Sequence, residues 1–542
     1  MQLALLMNLF HAIFSNRAAE TAVLFEGQEI SYDELRMRTL AVTEMLSGLD
    51  LGRDERVGIL LNDSPEFIAT FIGVVAAAAI AVPINMALRL DEQLAILNDC
   101  TAALVIAESD WCRALPVDAH ERLPFMRKLL QVIRNDASGT KTATSLTRYA
   151  GIKIYSFKEL TGTDPDREAT TGTNGSTPSK DQPAFILYTS GSTGEPKGAV
   201  HRQSDILSTN ETFCREVLRV TANDRVFSSS RLPFAYGLGN SLTFPLLNGA
   251  TAILCREKPA PEIISQIFKE YKPTIFFGVP VVYNLLLDHH QHVAALDCSS
   301  LRLCVSAGEA LPAKIGEDWE RAFGVPVLDG IGSTEMLHMF IANQESALRY
   351  GSSGQVLSGY EARLWDEHNA PVAAGREGNL WVKGESAAIG YWQRHEASAQ
   401  TFVDGWVRTG DLYRCDEDGY YFHMGRSDDC FKSSGQWVSP VEVEGLLLRH
   451  EDVQSAAVVE DFSGDGLPCA CAFIVPRVAS DAQNVTAPEG SLTNALRALA
   501  REHLPRFKQP QRYVFVAELP YTATGKIQRF KLRAKLKASK HD

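Results

Sequence analysis

What this chain lacks narrows its class first. No apolar run in its 542 residues reaches the roughly 20 residues that a membrane helix needs. The nearest, Phe67 to Val82, is Ala-rich, stops at 16 residues and reads as a buried helix running into a strand. The N-terminal stretch MQLALLMNLFHAIF is apolar but has no basic leading region and no small-residue cleavage pattern, so no signal peptide is expected. The ten cysteines, from Cys100 to Cys471, form no CxxC pair, and the lone CxC at Cys469 and Cys471 sits in an apolar, strand-like run. The spacing of a structural zinc site is therefore missing. Many unpaired thiols in a large chain fit a reducing cytoplasm. Positive charge is short as well: 53 Lys and Arg against 66 Asp and Glu leave a net charge of −13. That balance argues against non-specific binding to nucleic acid or anionic membranes. It does not exclude a small basic or amide-lined pocket.

What is present is a large globular chain. At roughly 100–200 residues per domain, its length allows three or more folding units, or one large domain with a smaller appendage. The first 115 residues alternate helical and strand-like patterns: a helix over Tyr32–Leu49, a strand over Arg56–Leu61, a helix over Ser64–Ala78 and a strand over Ala103–Ala107. This alternation predicts an α/β fold, a parallel sheet flanked by helices. Residues 161–182, rich in Thr, Gly, Ser, Asp and Pro, read as an exposed loop. Residues 350–425 hold short Gly-punctuated strands and predict a small β-rich subdomain. After Gly425 the pattern becomes α+β. The boundary is placed so that residues 1–427 form a large N-terminal domain and 428–542 a small C-terminal one.

The strand Ala184–Thr189 runs into Tyr188-Thr-Ser-Gly-Ser-Thr-Gly-Glu-Pro-Lys-Gly198. Glycines let backbone amides approach phosphate oxygens, hydroxyls add donors and a lysine adds a point charge. A Walker A loop needs Gly directly before Lys and Ser or Thr after it; here Pro196 precedes Lys197 and Gly198 follows. The common NTPase reading is excluded, and so is a bland surface turn for so specific a string. The Gly-x-Gly of Arg231-Leu-Pro-Phe-Ala-Tyr-Gly-Leu-Gly239 lacks the third glycine and acidic partner of a dinucleotide fingerprint, which sets aside a Rossmann oxidoreductase.

Four further strings follow in order: Gly332-Ser-Thr-Glu335, Trp406-Val-Arg-Thr-Gly-Asp411, Gly425-Arg-Ser-Asp-Asp429 and Thr524-Gly-Lys526. Any one is weak; five in sequence, spanning residues 188–526, are specific. Together they resemble the adenylate-forming superfamily of acyl- and aryl-CoA ligases, peptide-synthetase adenylation domains and luciferases. The resemblance implies ATP, Mg²⁺ and coenzyme A. A carboxylate attacks the α-phosphorus of ATP, and a thiol then displaces AMP from the acyl carbon. Catalysis of the first step is mainly positioning and charge stabilisation.

By resemblance, Thr189, Ser190, Gly191, Ser192, Thr193, Gly194 and Lys197 cradle the β/γ-phosphates. Glu335 helps hold Mg²⁺, and Thr334 contacts the α-phosphate region. Gly308, Asp329, Gly330, Ile331, Gly332 and Ser333 line the nucleotide. Asp411 accepts from the ribose hydroxyls, and Arg426 adds donors beside it. Lys526 bridges carboxylate and α-phosphate during adenylation. Asp428 occupies the hinge position. Rotation about it withdraws Lys526 and brings Lys432 and Gly435 to the thiol channel.

The acyl side resembles the benzoate-CoA ligase branch. There, Ile331 replaces the aromatic residue usual before Gly-Ser-Thr-Glu, and Met336-Leu-His338, Phe234-Ala-Tyr-Gly-Leu-Gly-Asn240 and Ser433-Ser-Gly-Gln-Trp-Val-Ser-Pro440 fit the branch too. Ala235, Tyr236, Gly237, Gly308, Ile331 and His338 are the expected wall of a flat slot suited to an aryl acid. If the segment is helical, Glu335 and His338 share a face. The expected activity is an aryl-acid:CoA ligase for benzoate, 2-aminobenzoate or a hydroxybenzoate. An aryl adenylation enzyme loading a separate carrier protein, and a medium-chain acyl-CoA synthetase, stay open as alternatives. No carrier domain is expected, since the chain ends at Asp542 soon after Lys526. A carrier protein and a second copy of the chain are further candidate partners.

Overall fold

A computed structural model of the chain describes residues 8–15, 17, 19–49, 51–116, 118–132, 153–156, 181–189, 196–427, 429–433, 436–463, 466–477, 489–521 and 527–538. The loop expected over 161–182 lies, but for its last two residues, outside them. Among the described residues no helix is long and apolar enough to cross a membrane.

The N-terminal part is built on two large sheets. In the first, Arg56–Leu60, Ile80–Pro83, Leu104–Glu108 and Lys128–Val132 run parallel. Pro183–Thr189 joins beside Ile80–Pro83, and Lys197–Arg202 turns back antiparallel to it. In the second, Arg225–Ser228, Thr251–Leu254, Ile275–Gly278, Leu303–Ser306 and Val327–Gly332 are parallel, with Thr21–Phe25 added beyond Thr251–Leu254. Strands such as Leu104–Glu108 are buried along their whole length, as parallel strands covered on both faces must be. The helices between them begin where polar caps allow. Ser31 accepts from Glu34 N–H at 3.1 Å to start Tyr32–Gly48, and Ser64 accepts from Phe67 N–H at 3.2 Å to start Pro65–Ala76. The second helix is buried nearly all round, the reason its sequence looks like a short membrane span.

Strands within residues 360–426 form the β-rich unit. Glu377–Gly384 and Trp406–Cys415 lie at its centre, with Tyr360–Trp365 and Tyr421–Arg426 outside them. The C-terminal part has its own core. Val453–Phe462, Pro468–Pro476 and Arg512–Phe515 form a sheet covered by the helices Pro440–Leu447, Glu489–His503 and Arg529–Ala538. Cys469 and Cys471 are both buried within this sheet. The fold is α/β, with large N-terminal sheets followed by a small α+β domain, as the sequence patterns predict.

Candidate active site

The phosphate-loop string lies between two paired strands. Thr189 faces Lys197 and Tyr188 faces Gly198 in an antiparallel ladder. Ser190, Gly191, Ser192, Thr193 and Gly194 lie outside the described residues, but both ends of the loop are fixed. The Tyr188 hydroxyl donates to Asp99 at 2.6 Å, and Asp99 also takes Arg394 at 2.6 Å. Trp392 N–H donates to the Gly198 carbonyl at 2.7 Å. A Cβ on Gly198 would stand 2.6 Å from Ile186 Cγ2 and 2.9 Å from the Tyr188 ring, so glycine is needed for that close approach.

Lys197 and Glu335, far apart in sequence, meet through Tyr391. The Lys197 ammonium sits 5.5 Å from the Tyr391 ring centroid, and the Tyr391 hydroxyl donates to Glu335 Oε1 at 2.7 Å. Burial, with the Glu335 charge next in importance, pushes the Tyr391 phenol well up, so it remains a donor. No motif in the sequence pointed to Tyr391; the Gly390-Tyr-Trp392 string was its only signal. Among the described residues no group of three or more His, Cys, Asp or Glu could hold a metal by itself. A lone carboxylate with a spare oxygen, next to a phosphate-loop lysine, nonetheless fits Mg²⁺. That ion is usually held by one or two carboxylates plus phosphate oxygens.

The segment Ser333–His338 is a turn, not the helix on which Glu335 and His338 would share a face. Ser333 Oγ accepts from Met336 N–H at 3.2 Å, Thr334 O accepts from Leu337 N–H at 3.2 Å, and Leu337 has φ +64°. Hydroxyl residues that bond the nearby backbone compete with helix in this way. The turn sends the two side chains to different places: Glu335 to Tyr391, His338 into an aromatic cluster. Beneath it lies a pair that sequence reasoning missed. His201, fully buried and stacked on Phe185, places Nε2 2.7 Å from the Thr334 carbonyl and Nδ1 2.9 Å from Asp205. Both ring nitrogens thus have an oxygen partner. Asp205 also takes the Arg202 backbone N–H and Nε, at 3.0 and 2.9 Å.

Asp411 and Arg426 face each other across two strands, with Arg426 Nη1 3.4 Å from Asp411 Oδ1. His423 Nε2 lies 3.5 Å from the same oxygen. Gly410, at φ +76°, leaves room for the guanidinium: a Cβ there would sit 2.9 Å from Arg426 Nη2. Asp329 is buried, which pushes its carboxyl well above the usual range. Its Oδ2 accepts from Leu311 N–H at 3.3 Å, tying the loop that carries Gly308 (φ +93°) to the strand Val327–Gly332, which contains Gly330, Ile331 and Gly332.

On the acyl side, Tyr236 and Ile331 share one apolar cluster. The Tyr236 ring centroid is 5.5 Å from that of His338, and its hydroxyl donates to Val305 O at 3.2 Å. Ala235 and Gly237 belong to the same short helix, Ala235–Leu238, as Tyr236. His338 packs between Phe213 and Phe244, and Nε2 lies 3.1 Å from Asn240 Oδ1. A Cβ on Gly239 would stand 2.4 Å from its ring. Burial holds the His338 pKa down at about 3, so the wall of the site is a neutral imidazole. Below about pH 6.5 the unfolded chain protonates this histidine while the folded chain does not until about pH 3, so stability falls with falling pH across that window. Between pH 7 and pH 5 His338 contributes about 2 kcal/mol of that fall. His338→Gln is expected to flatten the slope by that amount, as read from urea midpoints at the two pH values.

Of the C-terminal residues, Lys432 is exposed, with Nζ 3.5 Å from Glu367. Asp428, Gly435 and Lys526 lie outside the described residues.

Comparison with known proteins agrees with this geometry. The AMP-binding enzyme family matches residues 10–392, and the AMP-binding enzyme C-terminal domain matches 442–526. The chain is 38% identical to the benzoate–CoA ligase of Thauera aromatica over 529 residues, 96% of this chain and 94% of that one. It is 34% identical to the anthranilate–CoA ligase of Pseudomonas aeruginosa over 534 residues, 96% and 95% of the two chains. The crystal structure of the anthranilate CoA ligase AuaEII in complex with anthranoyl-AMP superposes with a TM-score of 0.88 at 35% identity, covering 100% of this chain and 99% of that one. Five ordered motifs, the Lys197–Tyr391–Glu335 contact, the Asp411–Arg426 pair and near full-length similarity lead to one assignment: the chain belongs to the adenylate-forming AMP-binding enzymes, in the branch of the benzoate–CoA ligases.

Proposed function

We propose that the protein is an AMP-forming aryl-acid:CoA ligase. It joins benzoate or a substituted benzoate to the α-phosphate of ATP, releases pyrophosphate, and passes the aryl group to the thiol of coenzyme A with release of AMP. The observation that carries this reading is the bent segment Ile331–His338. At Glu335 it faces Lys197 and Tyr391, the phosphate side. At Ile331 and His338 it faces Tyr236 and the aromatic cluster. One turn thus positions both reacting ends. A neutral ring among aromatic side chains suits a flat apolar acid, and a hydrogen-bonding neutral imidazole suits an amino or hydroxyl substituent.

Lys197 and Thr189, with the loop between them, bind the β/γ-phosphates. Glu335 would hold Mg²⁺, which would supply positive charge against the phosphates. Asp411 and Arg426 bind the ribose, and Lys526 neutralises charge at the α-phosphate. Residues 1–427 and 428–542 act as two bodies that turn about Asp428, bringing Lys432 and Gly435 to the thiol channel for the second step. The reducing environment that ten free thiols favour points to the cytoplasm.

The test is acid-dependent AMP formation over benzoate, aminobenzoates, hydroxybenzoates and medium-chain acids, with coenzyme A and a phosphopantetheinyl carrier compared as acceptors. The highest kcat/KM is expected for an aryl acid with coenzyme A. Best turnover of a medium-chain acid would refute the aryl assignment, and preference for the carrier would refute the coenzyme A assignment.

A further inference from the structure

Glu309 follows Gly308 on the loop that Asp329 anchors through Leu311. Its Oε1 accepts from Ile527 N–H at 2.8 Å, joining positions 218 residues apart. Ile527 is the residue directly after Lys526. The Glu309 charge also bears on Arg529 and Tyr521, which flank the same segment. Arg529 is held in turn by both oxygens of Glu444, at 2.8 and 2.9 Å, and lies 3.9 Å from Asp429, next to the hinge position. Two other polar contacts join the same two parts of the chain along the helix Pro280–His292. Asn284 Nδ2 donates to Gln454 O at 3.2 Å, and Arg477 Nη1 is 3.3 Å from Asp288 Oδ1. The second of these is an ion pair with both side chains about one-third exposed (36% and 34%), so it contributes little. The bond at Glu309 is half-buried and charge-assisted, and it acts on the segment that carries Lys526.

We infer that Glu309 is a positioning residue, a latch that holds the C-terminal domain in the orientation used for adenylation. The inference rests on the role given to Lys526 above. The carboxylate grips a backbone amide, so it fixes where the Lys526 segment sits without contacting the reacting atoms. It releases when the domain turns for thioester formation. The latch thereby acts on one half-reaction and not on the other.

Glu309→Ala and Glu309→Gln are compared with the unchanged protein in four measurements. These are single-turnover pyrophosphate release with acid, thioester formation from supplied aryl-AMP and coenzyme A, affinity for AMP, and energy transfer between fluorophores on non-natural residues at Val293 and Leu467, both exposed. Glu309→Ala is expected to slow pyrophosphate release by about 10- to 100-fold. Thioester formation should stay within about twofold, AMP affinity should hold, and the distance distribution should move away from the docked value. Glu309→Gln, which keeps an acceptor but not the charge, should fall between. A parallel loss in both half-reactions, a loss of AMP affinity, or an unmoved distance distribution would overturn the latch. The distance readout needs no catalysis. The latch therefore fails or stands separately from Lys526, whose role fails only if Lys526→Ala does not separate the two half-reactions.

Discussion

Lys526→Ala is expected to lower acid-dependent pyrophosphate release by about 10²–10³-fold while leaving conversion of supplied aryl-AMP to aryl-CoA near normal. Adenylation brings a carboxylate against a triphosphate, and the charge at the α-phosphate grows as the bond forms. A fixed positive group at that point stabilises the transition state more than the bound ground state, and losing one such group commonly costs a factor of this size. In thioester formation the bond broken joins the acyl carbon to a phosphate oxygen, the α-phosphorus is not attacked, and the domain rotation proposed above has withdrawn Lys526, so its loss is not felt there. The contact of the residue that follows Lys526 supports the proposed role. Ile527 N–H is bound to Glu309, one residue from Gly308, and consecutive Cα atoms are only about 3.8 Å apart. Lys526→Arg should remain slow in the first step, since a planar fork does not replace a compact ammonium. Equal loss of both half-reactions in Lys526→Ala would remove the assignment.

The sequence shows what is local and conceals what is made by long-range contact. Strands such as Arg56–Leu60 and Leu104–Glu108 are short, apolar and bounded by turn residues, so their pattern is legible. The phosphate loop, Asp411, Arg426 and Glu335 each sit in a short string of fixed spacing, so they are legible without the fold. Tyr391, His201 and Glu309 have no such string. They act on residues 56, 133 and up to 218 positions away, and only the packed sheets bring them there. The conditional helix at Glu335–His338 shows the opposite case. Its spacing suits a helix, but Ser333 and Thr334 bond the backbone of the next residues and close a turn instead. That turn separates the Glu335 carboxylate, held by Tyr391, from the aromatic cluster around His338 within four residues, which a helical face would have merged.

Asp205→Ala is expected to destabilise the protein by about 3–5 kcal/mol and to slow adenylation as well. The His201–Asp205 pair is fully buried, and removing one partner of such a pair leaves the other without compensation. The loss spreads because Asp205 also holds the Arg202 backbone and side chain, and Arg202 Nη2 in turn donates to Ala387 O at 2.8 Å, four residues from Tyr391. His201 donates to Thr334 O, so the turn that aims Glu335 loosens from below. Stability and positioning can be separated in the double variant His201→Phe, Asp205→Leu. Apolar groups of similar size remove both hydrogen-bonding partners together, and the stack on Phe185 persists, so most of the lost stability should return. The Thr334 carbonyl would still lack its donor, and pyrophosphate release should stay about tenfold or more below the unchanged protein. Urea midpoints and single-turnover pyrophosphate release measure the two effects side by side. A double variant that regained both stability and full adenylation would show that the pair only fills the core. One that regained stability alone would show that a buried histidine, 133 residues away in sequence, sets the position of the Thr334–Glu335 turn.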